Sequence, residues 1–179
     1  MQDHRFLRTA PLGCGPAPLL SLVRTPLPQL EWFDRPRPGE SRPGLRFSCT
    51  MCGNCCSGPE GYVLVSDDEA DALAKRLGLD TQAFLDRFTR DTPAGRSLTE
   101  KITSFGNDCV FLDRTSLPGR AICGVYEDRP RQCRTWPFWS SLLHSERHWN
   151  RAKRVCPGID HGPLHEPDEI RARRRVVDI

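Results

Sequence analysis

The chain has 179 residues, enough for one domain with an appended segment. Its hydrophobic fraction is 37%, and globular chains usually reach about 45–50%, so we expect a core of limited size. The net charge is only +3, which does not by itself indicate a nucleic-acid-binding protein. No stretch approaches the roughly 20 apolar residues of a membrane span, and the N-terminus lacks the apolar run of a signal peptide. We therefore expect a cytoplasmic protein with no membrane contact, in which thiols stay reduced.

Residues 1–44 contain eight of the sixteen prolines. Prolines at this density exclude a long helix or a central strand. We interpret the segment as a loose N-terminal arm that packs a few apolar side chains onto the following domain. A polyproline-like ligand for a partner protein is the alternative interpretation. Cys14 lies alone in this arm and has no spaced companion, so we interpret it as a spare thiol.

A dense cysteine motif follows the arm. Four thiols lie within eight residues, with the spacing C-x2-C-x2-C-C: Cys49, Cys52, Cys55 and Cys56. Four more cysteines are spread along the rest of the chain: Cys109, Cys123, Cys133 and Cys156. Nine cysteines are about 5% of the chain, below the share typical of a disulfide scaffold. In a reducing compartment this pattern favours metal ligation over disulfides.

After the motif, residues 62–65 are β-prone and are predicted to form a short strand. Ser66 and Glu69 form a capping-box pattern, which predicts that a helix begins there. Apolar residues then recur at helical spacing until Gly78, which predicts the end of that helix. A second helix is predicted to start at Asp80 or Thr81 and to close at 92–93.

Two β-prone segments, 109–113 and 121–126, flank a turn and are predicted to form a hairpin. That pairing would place Cys109 close to Cys123. Pro130 is predicted to occupy the first helical position of a following helix. Cys133 would then lie in its first turn, where the helix N-terminus lowers the pKa of a thiol.

An aromatic run at 136–139 is predicted to pack beside the metal and to exclude water. The last segment, 161–179, is basic and is interpreted as a solvated helical or frayed tail, with a nucleic-acid contact as the alternative. The expected architecture is therefore α+β, a small, irregular domain over 45–160 with short strands and a few helices, held together by metal.

Eight clustered thiols match the ligand count of two four-sulfur sites. Cys49, Cys52 and Cys55 have the spacing that holds three corners of a [4Fe–4S] cluster, and Cys156 precedes a proline as the remote fourth ligand does. Cys56, Cys109, Cys123 and Cys133 would then form a second site. In an extended segment Cys55 and Cys56 would face opposite sides, toward two different metals.

An iron–sulfur cluster is favoured, and structural zinc is the alternative. Zinc sites usually show two paired C-x2–4-C motifs, whereas this chain has one dense group and four single cysteines. Each four-thiolate site would carry a net charge of about −2. Arg129 and Arg134 flank Cys133 and are predicted to offset that charge as cofactor-binding residues; a surface salt-bridge set is the alternative.

With these residues in view, the chain resembles the YkgJ-like cysteine-cluster family, which carries a zinc- or iron-chelating domain of the CxxCxxCC type. The resemblance covers roughly residues 45–160. It rests on the eight cysteines in order and on the segment from Arg129-Pro130 through Cys133-Arg134 to Trp136-Pro137-Phe138. It implies a small metal-binding domain, often described as containing iron–sulfur, without an assigned reaction. Related cysteine clusters occur in flagellin lysine methylases, which implies an enzyme alternative.

Three functions are therefore open. The favoured one is a metal-cluster protein for electron transfer or cluster handling, with a redox or protein partner. The second is a metal-dependent enzyme, which would need an open coordination position or acid–base residues. The candidates for acid–base residues are His144, His148, His161 and His165. The third is a structural zinc module that binds protein or RNA through its arginine-rich tail.

Overall fold

The computed structural model describes residues 30–177, and these residues form an α+β fold, as expected. The helices are α1 (Asp67–Leu77), α2 (Thr81–Phe88), α3 (Arg131–Thr135), α4 (Ser140–Leu143), α5 (Glu146–Lys153) and α6 (Pro167–Val176). The strands are β1 (Leu45–Phe47), β2 (Thr89–Thr92), β3 (Gly95–Leu98), β4 (Glu100–Thr103), β5 (Gly106–Cys109), β6 (Leu112–Asp113), β7 (Ile122–Cys123) and β8 (Ile159–His165). Single turns of 3-10 helix lie at Trp32–Asp34, Asn54–Cys56 and Tyr126–Asp128.

The strands pair in four separate two-stranded antiparallel sheets. Three sheets are local pairs of consecutive strands: β2–β3, β4–β5 and β6–β7. The fourth pairs β1 with β8 and so joins the start of the described chain to its end. Two-stranded sheets are only marginally stable alone, so packing between these small units has to supply much of the stability.

The first two helices begin where the sequence predicts, and the first also ends there. The Ser66 side chain accepts a hydrogen bond from the Glu69 amide, and the Glu69 side chain bonds back, which completes the capping box of α1. Gly78 ends the helix in the left-handed conformation. Asp80 caps α2 by accepting from the Ala83 amide. However, α2 ends at Phe88 and leads directly into β2, which ends at Thr92, and 93–94 form the turn of the β2–β3 hairpin. The predicted helix end at 92–93 is therefore wrong.

The prediction of a strand at 62–65 is wrong, because this segment makes only an isolated bridge from Leu64 to Ser97. Strand β3 exchanges backbone hydrogen bonds with this segment at Val63 and Val65. The Leu64 amide donates to the side-chain oxygen of Gln132. A buried glutamine from α3 therefore completes the hydrogen bonding of a segment that has β3 on one side.

The predicted hairpin of 109–113 with 121–126 is shorter than expected. Leu112 pairs with Cys123 in β6–β7, whereas Cys109 belongs to β5 and pairs with Glu100 in the preceding sheet. Pro130 also differs from its predicted position: it precedes α3 as the N-cap residue, and the helix begins at Arg131.

Two apolar clusters form the core. The first unites residues from both ends of the described chain: Phe33, Leu45, Phe138, Leu143, Trp149, Ala152, Cys156, Ile159 and Ile170. The second gathers α1, α2 and the hairpins: Val65, Ala70, Leu73, Ala74, Phe84, Leu98 and Val125. Cys156 is in the first cluster, and Cys109 and Cys123 pack against the second. The cysteines therefore belong to both halves of a divided core.

The end of the arm and the beginning of the tail pack onto each other. Phe33 is fully buried in the first cluster. Arg171 and Arg174 of α6 form ion pairs with Glu31, and Arg171 also pairs with Asp34. Strand β8 runs across the predicted boundary between domain and tail at 160 and 161. Two arginines that the sequence predicts to lie in a solvated tail thus form ion pairs with residues at the start of the described chain.

Residues 1–29 and 178–179 lie outside the described part of the chain, so the interpretations of Cys14 and of most of the arm remain predictions. Among residues 30–177, no helix is both long and apolar enough to cross a membrane.

Candidate metal centre

The dense cysteine motif forms a tight turn rather than an extended segment. Gly53 adopts a left-handed conformation with φ of 78°, and Asn54–Cys56 follows as one turn of 3-10 helix. The Cys56 amide donates to the Gly53 carbonyl over 2.9 Å. A Cβ at position 53 would lie 2.7 Å from the Cβ of Ala121. Glycine is therefore required here for both its conformation and its size.

This turn brings two adjacent sulfurs together. The Sγ atoms of Cys55 and Cys56 lie 3.6 Å apart, and both residues line the same cavity. The expectation that they face opposite sides is therefore wrong, because it assumed an extended backbone and the chain is helical there.

The cavity has a volume of about 610 Å³ and is lined by six of the eight clustered cysteines. Those six are Cys49, Cys55, Cys56, Cys109, Cys123 and Cys133. Its apolar walls come from both core clusters, for example Phe47 and Trp136 from the first and Leu98 and Val125 from the second. The cavity thus lies where the two parts of the core meet.

Four of these cysteines also line a second, smaller cavity of about 180 Å³: Cys55, Cys56, Cys109 and Cys133. They therefore lie between the two cavities. Trp136 and Trp139 contribute to the smaller one and contact each other edge to face at 4.8 Å. This placement agrees with the aromatic run lying beside the cysteines.

The remaining two cysteines, Cys52 and Cys156, are not among the residues that line either cavity. Cys156 is buried, and burial raises its pKa, with a smaller contribution from Cys52. Cys55 lines the larger cavity together with Cys109, Cys123 and Cys133, and the ferredoxin-like grouping of Cys55 with Cys49, Cys52 and Cys156 remains a prediction. Across residues 30–177, no three Cys, His, Asp or Glu side chains are close enough together to hold a metal ion as they stand.

The environment of the thiols suits a cation. Burial, then repulsion from neighbouring sulfurs, raises the pKa of Cys133, and burial raises that of Cys109 to about 11. The prediction that a helix N-terminus lowers the pKa of Cys133 is wrong, because desolvation and neighbouring sulfurs outweigh it. Cys55 differs, since a hydrogen bond from Cys56 lowers its pKa. A bound cation would relieve this mutual repulsion and stabilise the thiolates.

Arg129 lies where its charge acts on the thiols. Its guanidinium is among the causes that lower the pKa values of Cys55, Cys123 and Cys133, although other causes are larger. Its position is fixed by stacking on the Tyr126 ring at 3.8 Å. Arg134 also lines the cavity, and its Nε donates to the Arg129 carbonyl. The sulfur-binding role of both arginines remains a prediction.

Of the four histidines considered, His165 lines the cysteine cavity. Its ring bonds to the Glu169 carboxylate and to the Phe47 carbonyl. His144 and His148 contact each other at 5.1 Å, and His161 is exposed. None of these last three is among the cavity-lining residues. The spacing of four between His165 and Glu169, at the start of a helix, was a sequence signal for this pair.

A buried ion pair supports the cysteine turn and was not anticipated from the sequence. Asp108 is 1% exposed and accepts from Arg114 Nε over 2.9 Å and from the Ser57 hydroxyl over 2.6 Å. Arg114 also lies over the Phe105 ring at 4.2 Å. Ser57 follows Cys56 and Asp108 precedes Cys109, so this network fixes two cysteines relative to each other.

Comparison with known protein families gives a match over the cysteine region. A family model named CxxCxxCC, described as "Putative zinc- or iron-chelating domain", matches residues 48–157. No solved structure matches this chain. The matched range contains all eight clustered cysteines, together with Asp108, Arg114, Arg129 and Arg134.

Proposed function

Since the chain belongs to the CxxCxxCC family, whose domain is described as zinc- or iron-chelating, we propose that it binds an iron–sulfur cluster through its cysteines. The observation that carries this proposal is the lining of one cavity of about 610 Å³ by six cysteines. Cysteine thiolates are soft ligands that suit both iron–sulfur clusters and zinc. The choice between the two therefore depends on the number and the spacing of the sulfurs.

The spread of the sulfurs favours a cluster over a single ion. Tetrahedral zinc with Zn–S bonds of about 2.3 Å brings its four sulfurs to about 3.8 Å from one another. Here one pair, Cys55 and Cys56, has such a spacing, while the other cysteines line the wall of a much larger space. A cluster of several iron and sulfide atoms fits ligands arranged in this way.

The four cysteines between the two cavities are the ligands we assign first: Cys55, Cys56, Cys109 and Cys133. Four thiolates are the ordinary complement of a [4Fe–4S] cluster, one on each iron. Cys55 and Cys56, whose sulfurs lie 3.6 Å apart, would therefore move apart on binding it. Cys49 and Cys123 line the same larger cavity, and Cys52 and Cys156 are candidates for a separate site. Arg129 would offset the negative charge of the ligated sulfurs, and Trp136 would shield them from water.

A bound cluster would supply one-electron redox chemistry, so we propose a role in electron transfer or in cluster handling, with a protein partner. The chain's own contribution would be to hold the thiolates, to set their electrostatic environment through Arg129 and to restrict solvent access through the apolar walls.

The test is metal and acid-labile sulfide analysis of anaerobically purified protein, together with its visible spectrum and a reductive titration. We expect brown protein with iron and sulfide in equal amounts and a spectrum that bleaches on reduction. Colourless protein with stoichiometric zinc and no sulfide would show that the chain is a zinc module. Reconstituted protein that passes its cluster to an acceptor apoprotein would identify cluster handling, and reversible redox cycling without transfer would identify electron transfer.

A further inference from the structure

Three arginines mark the entrance of the cysteine cavity. Arg129, Arg134 and Arg173 line both that cavity and an adjoining surface cleft. They come from two elements that contact each other, α3 with the residues before it and α6. The cavity lining that the structure describes contains no aspartate or glutamate. The adjoining cleft contains Asp68 and Glu69, and both lie within 3.8 Å of Arg131. The three arginines are therefore the charged side chains on the cavity side of the entrance.

Two of these arginines have free hydrogen-bonding capacity. Within residues 30–177, no carboxylate lies within 4 Å of Arg129 or Arg134. Arg134 donates from its Nε to the Arg129 carbonyl, and its two terminal nitrogens make no bond to any described residue. Arg173 is partly neutralised, since it pairs with Glu169 at 2.8 Å.

Glu169 is also shared with a second partner. His165 Nδ1 lies 2.9 Å from the Glu169 carboxylate, which Arg173 also contacts at 2.8 Å. A single carboxylate therefore serves both side chains, and Arg173 does not hold it alone.

Arg129 is the arginine of this group whose charge acts on the thiols, at Cys55, Cys123 and Cys133, and we assign it to the sulfurs. Arg134 is exposed and lines both the cavity and the adjoining cleft. Arg173 comes from a different element and lies over the Phe138 ring at 5.6 Å. These two residues are therefore available for a ligand outside the sulfur site.

We propose that Arg134 and Arg173 bind the anionic group of a small organic acid whose apolar body lies in the cysteine cavity. The anionic group is a carboxylate or a phosphate, since a pair of guanidinium groups binds either one by charge-assisted hydrogen bonds. The apolar walls next to the entrance, such as Val125 and Pro130, suit a hydrocarbon or aromatic body. The volume of about 610 Å³ is in the range of small-molecule sites.

This site goes beyond the proposed function but shares its cavity. The proposed function places the metal at Cys55, Cys56, Cys109 and Cys133, so the apolar body occupies the remaining part of the cavity, at walls such as Val125 and Pro130. A concave site with apolar walls favours a small molecule over an acidic protein, which would meet arginines on a convex surface. Because this binding site lies next to the sulfurs, its ligand would lie beside the metal centre.

The test is isothermal titration of the metal-loaded protein with benzoate, phenyl phosphate, acetate and inorganic phosphate. We expect the two aromatic anions to bind at least about 10-fold more tightly than acetate or phosphate, because only they bury apolar surface. In the Arg134→Gln/Arg173→Gln variant we expect binding at least about 10-fold weaker, since two charge-assisted contacts are lost. Arg134 is exposed, so the single variant Arg134→Gln serves if the double variant does not fold.

The matched control is Arg175→Gln, which removes an exposed arginine of the same helix that does not line the cavity. It should leave benzoate binding within about twofold of the parent. Absence of binding by both aromatic anions, equal binding of acetate and benzoate, or equal weakening by Arg175→Gln would each overturn the proposal. Loss of metal from the Arg134 and Arg173 variants would also overturn it, because these residues would then serve the sulfurs. A finding of zinc instead of iron, with benzoate still bound, would reject the cluster and leave this site standing.

Discussion

The Sγ atoms of Cys55 and Cys56 lie 3.6 Å apart on one helical turn, although the two residues are adjacent in sequence. Adjacent residues of a strand would point apart. The turn depends on the left-handed Gly53 and is held by Ser57 and Asp108. The geometry of the whole cavity therefore depends on a few positions that are not themselves ligands.

Replacing a cavity cysteine should remove metal. In Cys133→Ser we expect metal content to fall to less than about half and the free energy of unfolding to decrease, because bound metal contributes folding energy. Metal analysis and urea unfolding measure the two effects. Cys14→Ser is the control and should change neither quantity. A stable Cys133→Ser protein with full metal content would exclude that residue as a ligand.

Gly53→Ala should destabilise the fold and reduce metal content. The new Cβ would lie 2.7 Å from Ala121 at a φ of 78°, so both a clash and backbone strain arise, and we expect a loss of about 2–3 kcal/mol. Gly119→Ala is matched, because φ is 72° and nothing lies within 4 Å of its Cβ. It should cost about 1–2 kcal/mol from strain alone. If urea unfolding shows the same loss of free energy for both variants, the contact of a Cβ at position 53 with Ala121 does not contribute.

Asp108→Asn should be strongly destabilising, because it leaves Arg114 without its buried partner. We expect a loss of about 3–5 kcal/mol in the free energy of unfolding at neutral pH. Asp91→Asn is the control: it breaks an exposed pair with Arg96 and should cost at most about 1 kcal/mol. A small effect of Asp108→Asn would show that the network does not support the cysteine turn.

The same ion pair should give the protein a characteristic acid sensitivity. The hydrogen bond from Arg114, despite burial, holds the pKa of Asp108 below its ordinary value of 3.8. The folded state thus binds this proton more weakly than the unfolded state does. The stability it adds is full above about pH 4 and is lost as the pH falls through the lowered value. Acid unfolding of Asp108→Asn should lack this component, and an unchanged profile would contradict the assignment.

In the metal-free protein, Cys55 should react with iodoacetamide before Cys56. The hydrogen bond between them lowers the pKa of Cys55 and raises that of Cys56, so more of Cys55 is thiolate at neutral pH. Peptide mass spectrometry after timed labelling gives both rates, and Cys56→Ala should slow the labelling of Cys55. Faster labelling of Cys56 in the parent protein would reverse the assigned direction of the bond.

The sequence predicted the local elements well where a cap or a turn residue defines them. Ser66, Gly78 and Asp80 bound the first two helices as expected, because capping depends on neighbours within a few residues. It failed for 62–65, where the Leu64 amide bonds to Gln132 from a distant helix. It also underestimated the tail, since Arg171 and Arg174 pair with Glu31, a residue that only folding brings near them.

Taken alone, the sequence determined the family and the α+β class and indicated which cysteines are candidate ligands, because cysteine spacing and helix caps are encoded over short distances. Only the tertiary structure decided which sulfurs share a cavity, that Cys55 and Cys56 face the same way, and that Asp108 and Arg114 support them. Those relationships join residues far apart in the chain, and their geometry follows from how two small apolar clusters pack against each other.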